Sequence, residues 1–508
     1  MPILTRPAIV WSALIYLSLV LAVGFWAARR TRTAKDFFIA GQGLGLVVTG
    51  LATMSAAFSG FVFIGGPGMT YRFGLASLFI VVPVSFTAGL LCWSVAKRLR
   101  LLSEVREIFT VPDAILARYG SRRASGLAAL AVIVGTVGYL GAQIQAMGVL
   151  IDAIFGLSGP LGEWGVPVAM TIGVMVVVLY ATSGGMVAGV YTDLFQGTLM
   201  VSAAVVVFYY CLASGGGLGA ITHRIAESEA FGPEFLDPLG NGSIFLAVGF
   251  FFVFAVGSLG QPHMLHKFYM LDDPKKLKWL PLVIGGTQTL CVLIWLGIGL
   301  AVPSLVVEGR LAPLASPDQA SPLFLLDFAP QLLAGLVFAG ILAAIMSTAD
   351  SFVNIGAAAL VRDLPRAFGR QLGNELARGR MAVVGIAIAA AVFSYLYGDL
   401  IALLGTFAFG TFGAALAPAL AIGLNWKRVT AAAATASIAT GLGLNLTLEF
   451  LTRQSFFPAL PKLPLPAGVL PAAISLAASF AVLFAVTWLS TPSEKDAIDR
   501  DVAAVMRT

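Results

Sequence analysis

The residues of this chain best suited to chemistry are oxygen donors set in segments too apolar for water. In Ala343-Ala344-Ile345-Met346-Ser347-Thr348-Ala349-Asp350-Ser351, residues Ala344, Ser347 and Thr348 stand at i, i+3 and i+4, so on a helix one carbonyl and two hydroxyls share a face. Neutral oxygens of this kind suit Na+, which must be released again, better than does the carboxylate cage that holds Ca2+. The same hydroxyls could instead back-bond to carbonyls four residues earlier, and the pattern alone leaves both readings open. Asp193 lies near the start of an apolar run; it must either face the bundle interior or sit at the interface, because lipid does not tolerate an unpartnered carboxylate. Asp350, two residues past Thr348, is expected to be leaving the bilayer, solvated or paired with Arg362. His263 and His266 are expected at the interface, since HxxH without a third ligand is a weak metal motif. Cys92, Cys211 and Cys291 are far apart in apolar runs and read as small core residues. No nucleophile elbow, HExxH, phosphate-binding loop or pair of catalytic carboxylates occurs, which argues against an enzyme and leaves an ATP-driven pump without a motor.

These donors need a scaffold that brings them together, and two helix breaks suggest one. Ser55-Ala56-Ala57-Phe58-Ser59-Gly60, followed by Gly65-Gly66-Pro67-Gly68, interrupts one apolar span. Five spans later, Gly257-Ser258-Leu259-Gly260-Gln261-Pro262-His263 interrupts another. Backbone broken at membrane depth survives only where protein or a water-filled cavity satisfies it. Interrupted helices at corresponding positions of two five-helix units point to a transporter with inverted repeats and a site at the midplane; glycine-mediated packing with proline kinks is the alternative.

Composition demands a membrane. Charged residues are 11% of 508 and hydrophobic types 58%, with 56 glycines besides, where soluble domains carry about 25% charge. Mean hydropathy is +0.92. A polytopic, all-α integral membrane protein follows, which excludes a secreted disulfide scaffold, a nucleic-acid partner and a coiled coil. Thirteen transmembrane helices are expected, at 8–28, 45–71, 74–98, 124–155, 164–182, 188–214, 243–261, 277–303, 324–350, 379–397, 399–423, 428–449 and 467–490. The first is retained rather than cleaved, because Arg29, Arg30 and Arg32 follow its apolar run. Of the 31 Lys and Arg residues, 25 fall in every second loop or the tail, which places those loops and the C-terminus in the cytoplasm and the N-terminus outside. Residues 107–123 and 215–242 could form short interfacial helices, and the tail after Thr491 is expected to be partly disordered.

Four stretches carry a family resemblance. They are Thr33-Ala-Lys-Asp-Phe-Phe-Ile-Ala-Gly-Gln-Gly-Leu-Gly45, Thr110-Val-Pro-Asp-Ala-Ile-Leu-Ala-Arg-Tyr-Gly120, Ser183-Gly-Gly-Met-Val-Ala-Gly-Val-Tyr-Thr-Asp-Leu-Phe-Gln196 and Gly260-Gln-Pro-His263. With Ala343 to Ser351 they make the chain resemble the sodium/solute symporter family of bacterial proline, pantothenate, monocarboxylate, sialic acid and sugar transporters, over nearly its whole length. The resemblance implies a leucine-transporter-type fold in one transmembrane domain: a first helix 8–28, inverted five-helix repeats 45–214 and 243–423, accessory helices 428–490 and a cytoplasmic tail 491–508. It implies a sodium site on the carbonyls of Ser55, Phe58 and Ala344 and the hydroxyls of Ser347 and Thr348. Asp193 matches a carboxylate that some members use in a second sodium position or in the ion's exit route. The solute would lie among Ser59, Tyr139, Gln143, Phe254, Ser258 and Gln261.

Relative to the family's proline transporters, an acidic position in the second span is Ala57 here, and an aromatic pair in the seventh becomes Phe254 and Ser258; both departures argue away from proline. The function implied is uptake of a small organic solute (a monocarboxylate, amino acid or similar) driven by inward Na+ flow, by a monomer in a bacterial inner membrane. The rivals are a solute-sensing transceptor of the same fold and an H+-coupled symporter.

Overall fold

The computed structural model describes residues 6–29, 44–453, 462–490 and 498–508. Residues 33–43 of the first resemblance motif, residues 491–497 of the tail and the side chains of 183–191 lie outside the described residues. Among those described, every regular element is helical, and a single bridge joins Leu44 to Leu271.

Helix α1 spans Pro7–Ala28. The next span is broken into α2, Leu46–Ala57, and α3, Gly66–Phe73, with a π-helical turn Phe61–Gly65 between them. Gly74 then turns the chain at φ +65°, so close to the Phe235 carbonyl that a Cβ would stand 2.3 Å from its oxygen; only glycine fits such a position. Helices α4 (Leu78–Leu91), α5 (Lys97–Val105) and α6 (Val111–Tyr119) follow. Thr110 caps α6 by accepting from the Asp113 N–H. Helix α7, Arg122–Phe155, is the long central helix of this half. The backbone is helical throughout Gly165–Gly215, α8, where two separate spans were expected; Ser158–Leu179 and Thr192–Gly215 are each long and apolar enough to cross. A short α9, Leu218–Ala226, lies in the long loop.

The second half begins with another broken span. Helix α10, Ile244–Gly257, ends in a 3-10 turn, Ser258–Gly260, and α11, Pro262–Phe268, leaves at 42° to it. Pro262 opens α11 and forces Gln261 to extended geometry, φ −80° and ψ 103°. Then come α12 (Leu280–Val307), α13 (Ala320–Phe328), α14 (Gln331–Ala358), α15 (Glu375–Tyr397), α16 (Ile401–Ala417), α17 (Ala431–Thr452), α18 (Pro471–Leu489) and α19 (Arg500–Val505).

The ninth span differs from its expected range of 324–350. Pro330, with ψ 140°, separates α13 from α14, and α14 continues through Ala358 into a π-helical turn, Ala359–Asp363. Every residue of α14 from Val337 to Ala358 is buried, so it is the axis of the molecule. Helix α7 packs on α14, α15 and α16; α8 packs on α1, α12 and α14; α17 and α18 pair beside them.

By length and apolarity ten helices among the described residues can cross a membrane, or eleven if the bent pair α10–α11 counts as one span. Thirteen were expected. Helix α1, 22 residues long, and the short apolar α2 stand outside that number, and the chain between Phe61 and Val105 is divided by the turn at Gly74, at the boundary expected between residues 71 and 74. Within the tail, residues 500–505 form α19, held by Arg106, whose guanidinium donates to Asp499 at 2.7 Å and to Asp501 at 2.6 Å.

Candidate cation and solute site

The first break frees backbone oxygens. Phe58 leaves helical geometry at φ −98° and ψ 107°. The Gly60 N–H donates to Gln143 Oε1 at 3.2 Å and the Phe61 N–H to Ser59 Oγ at 3.2 Å. In an unbroken helix those two amides would bond the carbonyls of Ala56 and Ala57, which are therefore available to another partner.

Helix α14 supplies it. Thr348 Oγ1 lies 3.4 Å from the Ser55 carbonyl oxygen, 3.2 Å from that of Ala56 and 3.1 Å from that of Ala344. A hydroxyl has one proton and can donate to one of these oxygens. The remaining lone pairs face one another in a buried place, an arrangement that a small hard cation relieves. This donor set fits Na+. The structure thus brings Ser55, Ala344, Ser347 and Thr348 together; Thr348 reaches Ala56, which the sequence reading passed over, and not Phe58, which sits at the break with its side chain buried.

Ser347 and Asp193 extend the cluster. Ser55 Oγ donates to Ser347 Oγ at 2.8 Å, and Ser347 Oγ donates to Asp193 Oδ1 at 2.6 Å. Asp193 is fully buried, so of its two expected placements it takes the interior one. Its other oxygen, Oδ2, accepts from the Lys267 ammonium at 2.8 Å, with both side chains 1% exposed. Lys267 was counted among the loop charges; the signal that could have found it is its setting, Lys267-Phe268-Tyr269-Met270-Leu271, a lone charge in an apolar run.

Two further expectations are corrected. Asp350 is 1% exposed and accepts from Asn354 Nδ2 at 2.9 Å, because α14 carries it onward inside the bundle. Arg362 pairs instead with Asp113 at 3.0 Å. His263 and His266 are buried at 0% and 5% exposure rather than interfacial, since α11 leaves the break at 42° and packs on α2 and α14.

The solute candidates gather beside the cation cluster. Tyr139 stacks on Phe352 at 4.5 Å between centroids and lies 6.5 Å from the Phe61 ring. Phe61 stacks on Phe254 at 5.6 Å, and Phe254 on Phe409 at 4.4 Å. Gln143 Oε1 accepts from the Gly60 N–H, and Nε2 is without a partner. Gln261 Nε2 donates to the carbonyls of Gly257 and Phe409, each at 2.9 Å, which leaves Oε1 without one. Ser258 is turned away, donating to the Ala255 carbonyl at 2.8 Å and lying 3.5 Å from Thr87 Oγ1. His263, which the sequence reading did not place here, lies 5.8 Å from Tyr139 and 4.4 Å from Phe352 between ring centroids, and neither ring nitrogen has a hydrogen-bond partner. Buried polar atoms without partners are rare and need an explanation; here Gln143, Gln261 and His263 carry them beside the two helix breaks, next to an aromatic box of Tyr139, Phe352, Phe254 and Phe409.

Known proteins resemble this chain along most of its length. The sequence model described as the Sodium:solute symporter family matches residues 37–441. The chain is 29% identical over 433 residues to the osmoregulated proline transporter OpuE of Bacillus subtilis, an alignment covering 84% of this chain and 86% of that protein. It is 28% identical over 437 residues to the sodium/proline symporter of Haemophilus influenzae, covering 84% and 85%. Among solved structures, a Na+-coupled sialic acid symporter in a substrate-bound, outward-open state matches with a TM-score of 0.74 at 18% identity, over 95% of this chain and 98% of that one. A likeness at that identity establishes the shared fold.

Proposed function

The chain belongs to the sodium:solute symporter family, and from that membership we propose that it is a secondary active transporter that couples inward Na+ flow to uptake of a small amino acid by alternating access. The observation that carries the reading is the meeting of Thr348 Oγ1 with the carbonyl oxygens of Ser55, Ala56 and Ala344. An ion held there ties the broken end of α2 to α14. The next residues past that break reach the solute box, Gly60 donating its N–H to Gln143 Oε1 and Phe61 stacking on Phe254, so ion binding orders one wall of that box. Whatever the ion adds to solute affinity, the solute adds equally to ion affinity. Each Na+ moving inward contributes about 2.3 kcal/mol per 100 mV of membrane potential, besides its concentration gradient.

The solute class follows from the unpartnered atoms. Gln143 Nε2 offers a donor and Gln261 Oε1 an acceptor, and a neutral imidazole offers one of each. A plain monocarboxylate would leave the Gln261 carbonyl buried and unpaired, at about 1–3 kcal/mol, whereas a neutral zwitterion presents both an acceptor and a donor. The box carries no side-chain charge to select an acidic or basic solute. Two of the relatives are named as proline transporters, which supports the amino-acid class. The repeats 45–214 and 243–423 and the placement of the basic loops in the cytoplasm complete the reading: the two broken helices lie at corresponding places in the two halves, and the loop charges follow the positive-inside rule.

The test is uptake into proteoliposomes. An inward Na+ gradient should drive accumulation of a labelled small neutral amino acid, and an inside-negative potential should increase it. Accumulation that follows a proton gradient and ignores Na+, or that accepts only monocarboxylates, would overturn the proposal.

A further inference from the structure

Lys267 is the one residue of this cluster that neither the sodium reading nor the solute reading uses. Its ammonium lies on Asp193 Oδ2, while Ser347 holds Asp193 Oδ1. The contacts form a chain, Ser55 to Ser347 to Asp193 to Lys267, that crosses from α2 to α14 to α8 to α11.

We propose that Lys267 is a tethered cation that occupies Asp193 when sodium is absent, and that a sodium ion arriving at Ser347 and Asp193 must displace it. The proposal rests on the sodium reading above and deepens it. A carboxylate buried to this degree needs a positive partner at every stage of a cycle, and between ions the protein supplies its own. Two cations cannot share one carboxylate without repulsion, so sodium and the ammonium are competitors. The ammonium can leave because it is a compact charge on a flexible four-carbon stem. It also has a destination: Asp350, one turn past Ser347 on α14, keeps Oδ2 without a hydrogen-bond partner.

Displacement has a mechanical consequence. Lys267 and His263 stand four residues apart on α11, on one helix face, and His263 belongs to the solute box. Freeing Lys267 from Asp193 releases the end of α11 from α8, and with it the turn that carries His263. Ion occupancy therefore reaches the second broken helix through Lys267, as it reaches the first through Thr348.

Purified protein melted across a Na+ titration, with K+ holding ionic strength constant, tests this, because an ion that binds only the folded state raises its melting temperature. Lys267→Met removes the competitor, and its half-maximal Na+ concentration should fall at least tenfold, about 1.4 kcal/mol of tighter binding. Lys267→Arg replaces it with a planar fork that grips a carboxylate bidentately, and the half-maximal concentration should rise several-fold. An Arg variant with the parent's sodium midpoint overturns the proposal even if the Met variant fails to fold, and so does a Met variant whose midpoint is unchanged or higher. If the parent responds to Na+, loses that response on Thr348→Ala and yet is indifferent to both Lys267 changes, the tethered cation alone is wrong. If the parent shows no response to Na+, the sodium site falls with it.

Discussion

Thr348 and Ser347 divide the work of the cation site according to where their protons go. Thr348 faces three backbone carbonyls within 3.1–3.4 Å, and Ser347 gives its proton to Asp193 and so turns a lone pair back toward the broken helix. Thr348→Ala should raise the Na+ concentration for half-maximal uptake at least tenfold, while Thr348→Ser, which restores the hydroxyl, should recover most of it; sodium titrations of transport check both. Ser347→Ala should act in the same direction and also leave Asp193 with one donor fewer. His263 belongs to the other half of the machinery. Its ring is wedged against Phe352 and Tyr139 with both nitrogens unpartnered, so His263→Phe should keep the packing, preserve sodium-dependent stabilisation and abolish solute-dependent stabilisation. Melting curves with each ligand added separately distinguish those outcomes. The hydroxyl face of α14 was legible in the i, i+3, i+4 spacing. His263 and Lys267 were not, because whether a polar residue at the end of an apolar run enters water or the bundle depends on the direction of the next helix.

At the scale of elements, the second broken span is held in place by close packing of small residues. Helix α10 meets α16 where Gly413 approaches Gly257 so nearly that a Cβ on Gly413 would lie 2.7 Å from the Gly257 Cα. Within lipid, helices gain from such contact through backbone proximity rather than through the hydrophobic effect. Gly413→Ala should therefore cost about 1–3 kcal/mol, as overpacking does, read as a lowered melting temperature. Gly443→Ala, on α17 with nothing within 4 Å of the added carbon, should leave stability nearly unchanged and serves as the control. A loss of stability at Gly443 equal to that at Gly413 would contradict the packing argument. The glycines and prolines in the sequence announced both breaks, yet they did not reveal that α11 would leave α10 at 42°. That angle is set by what α11 packs against, and it is what takes Lys267 to Asp193.

Over the whole molecule, charge is tied down at both faces. On the face opposite the basic loops, Arg453 joins Asp399 and Glu449, Glu449 accepts from the Tyr397 hydroxyl, and Arg72 lies 3.7 Å from Asp399. Beside this network, Asp318 Oδ2 accepts from the Ile401 N–H at 3.0 Å and links the loop before α13 to the start of α16. Burial pushes the Asp318 carboxyl from 3.8 up to about 7, with the Asp399 charge adding to it. A carboxyl whose folded value is raised contributes stability below its unfolded value and loses it as pH rises to the folded one. Asp318→Asn, which keeps an acceptor for Ile401, should melt close to the parent near pH 4, gain on it between about pH 4 and 7, and hold a constant advantage above that. A pH series of melting curves in which the two proteins stay parallel throughout would remove Asp318 from the account. On the basic face, Arg106 grips Asp499 and Asp501, and hydrogen bonding to Arg106 holds the Asp501 carboxyl below its ordinary range.

Composition and periodicity by themselves determined that this is a helical membrane protein, and local chemistry determined where its helices break and which oxygens α14 presents, because both are properties of a segment and the lipid around it. The family resemblance added the pairing of those oxygens with the Ser55 segment. Tertiary structure decided the rest: that Ala56 meets Thr348, that Asp350 stays inside, and that an ammonium from α11 lies on Asp193. Each of these depends on the packing of several helices at once, and no single segment encodes the angle at which its neighbours cross.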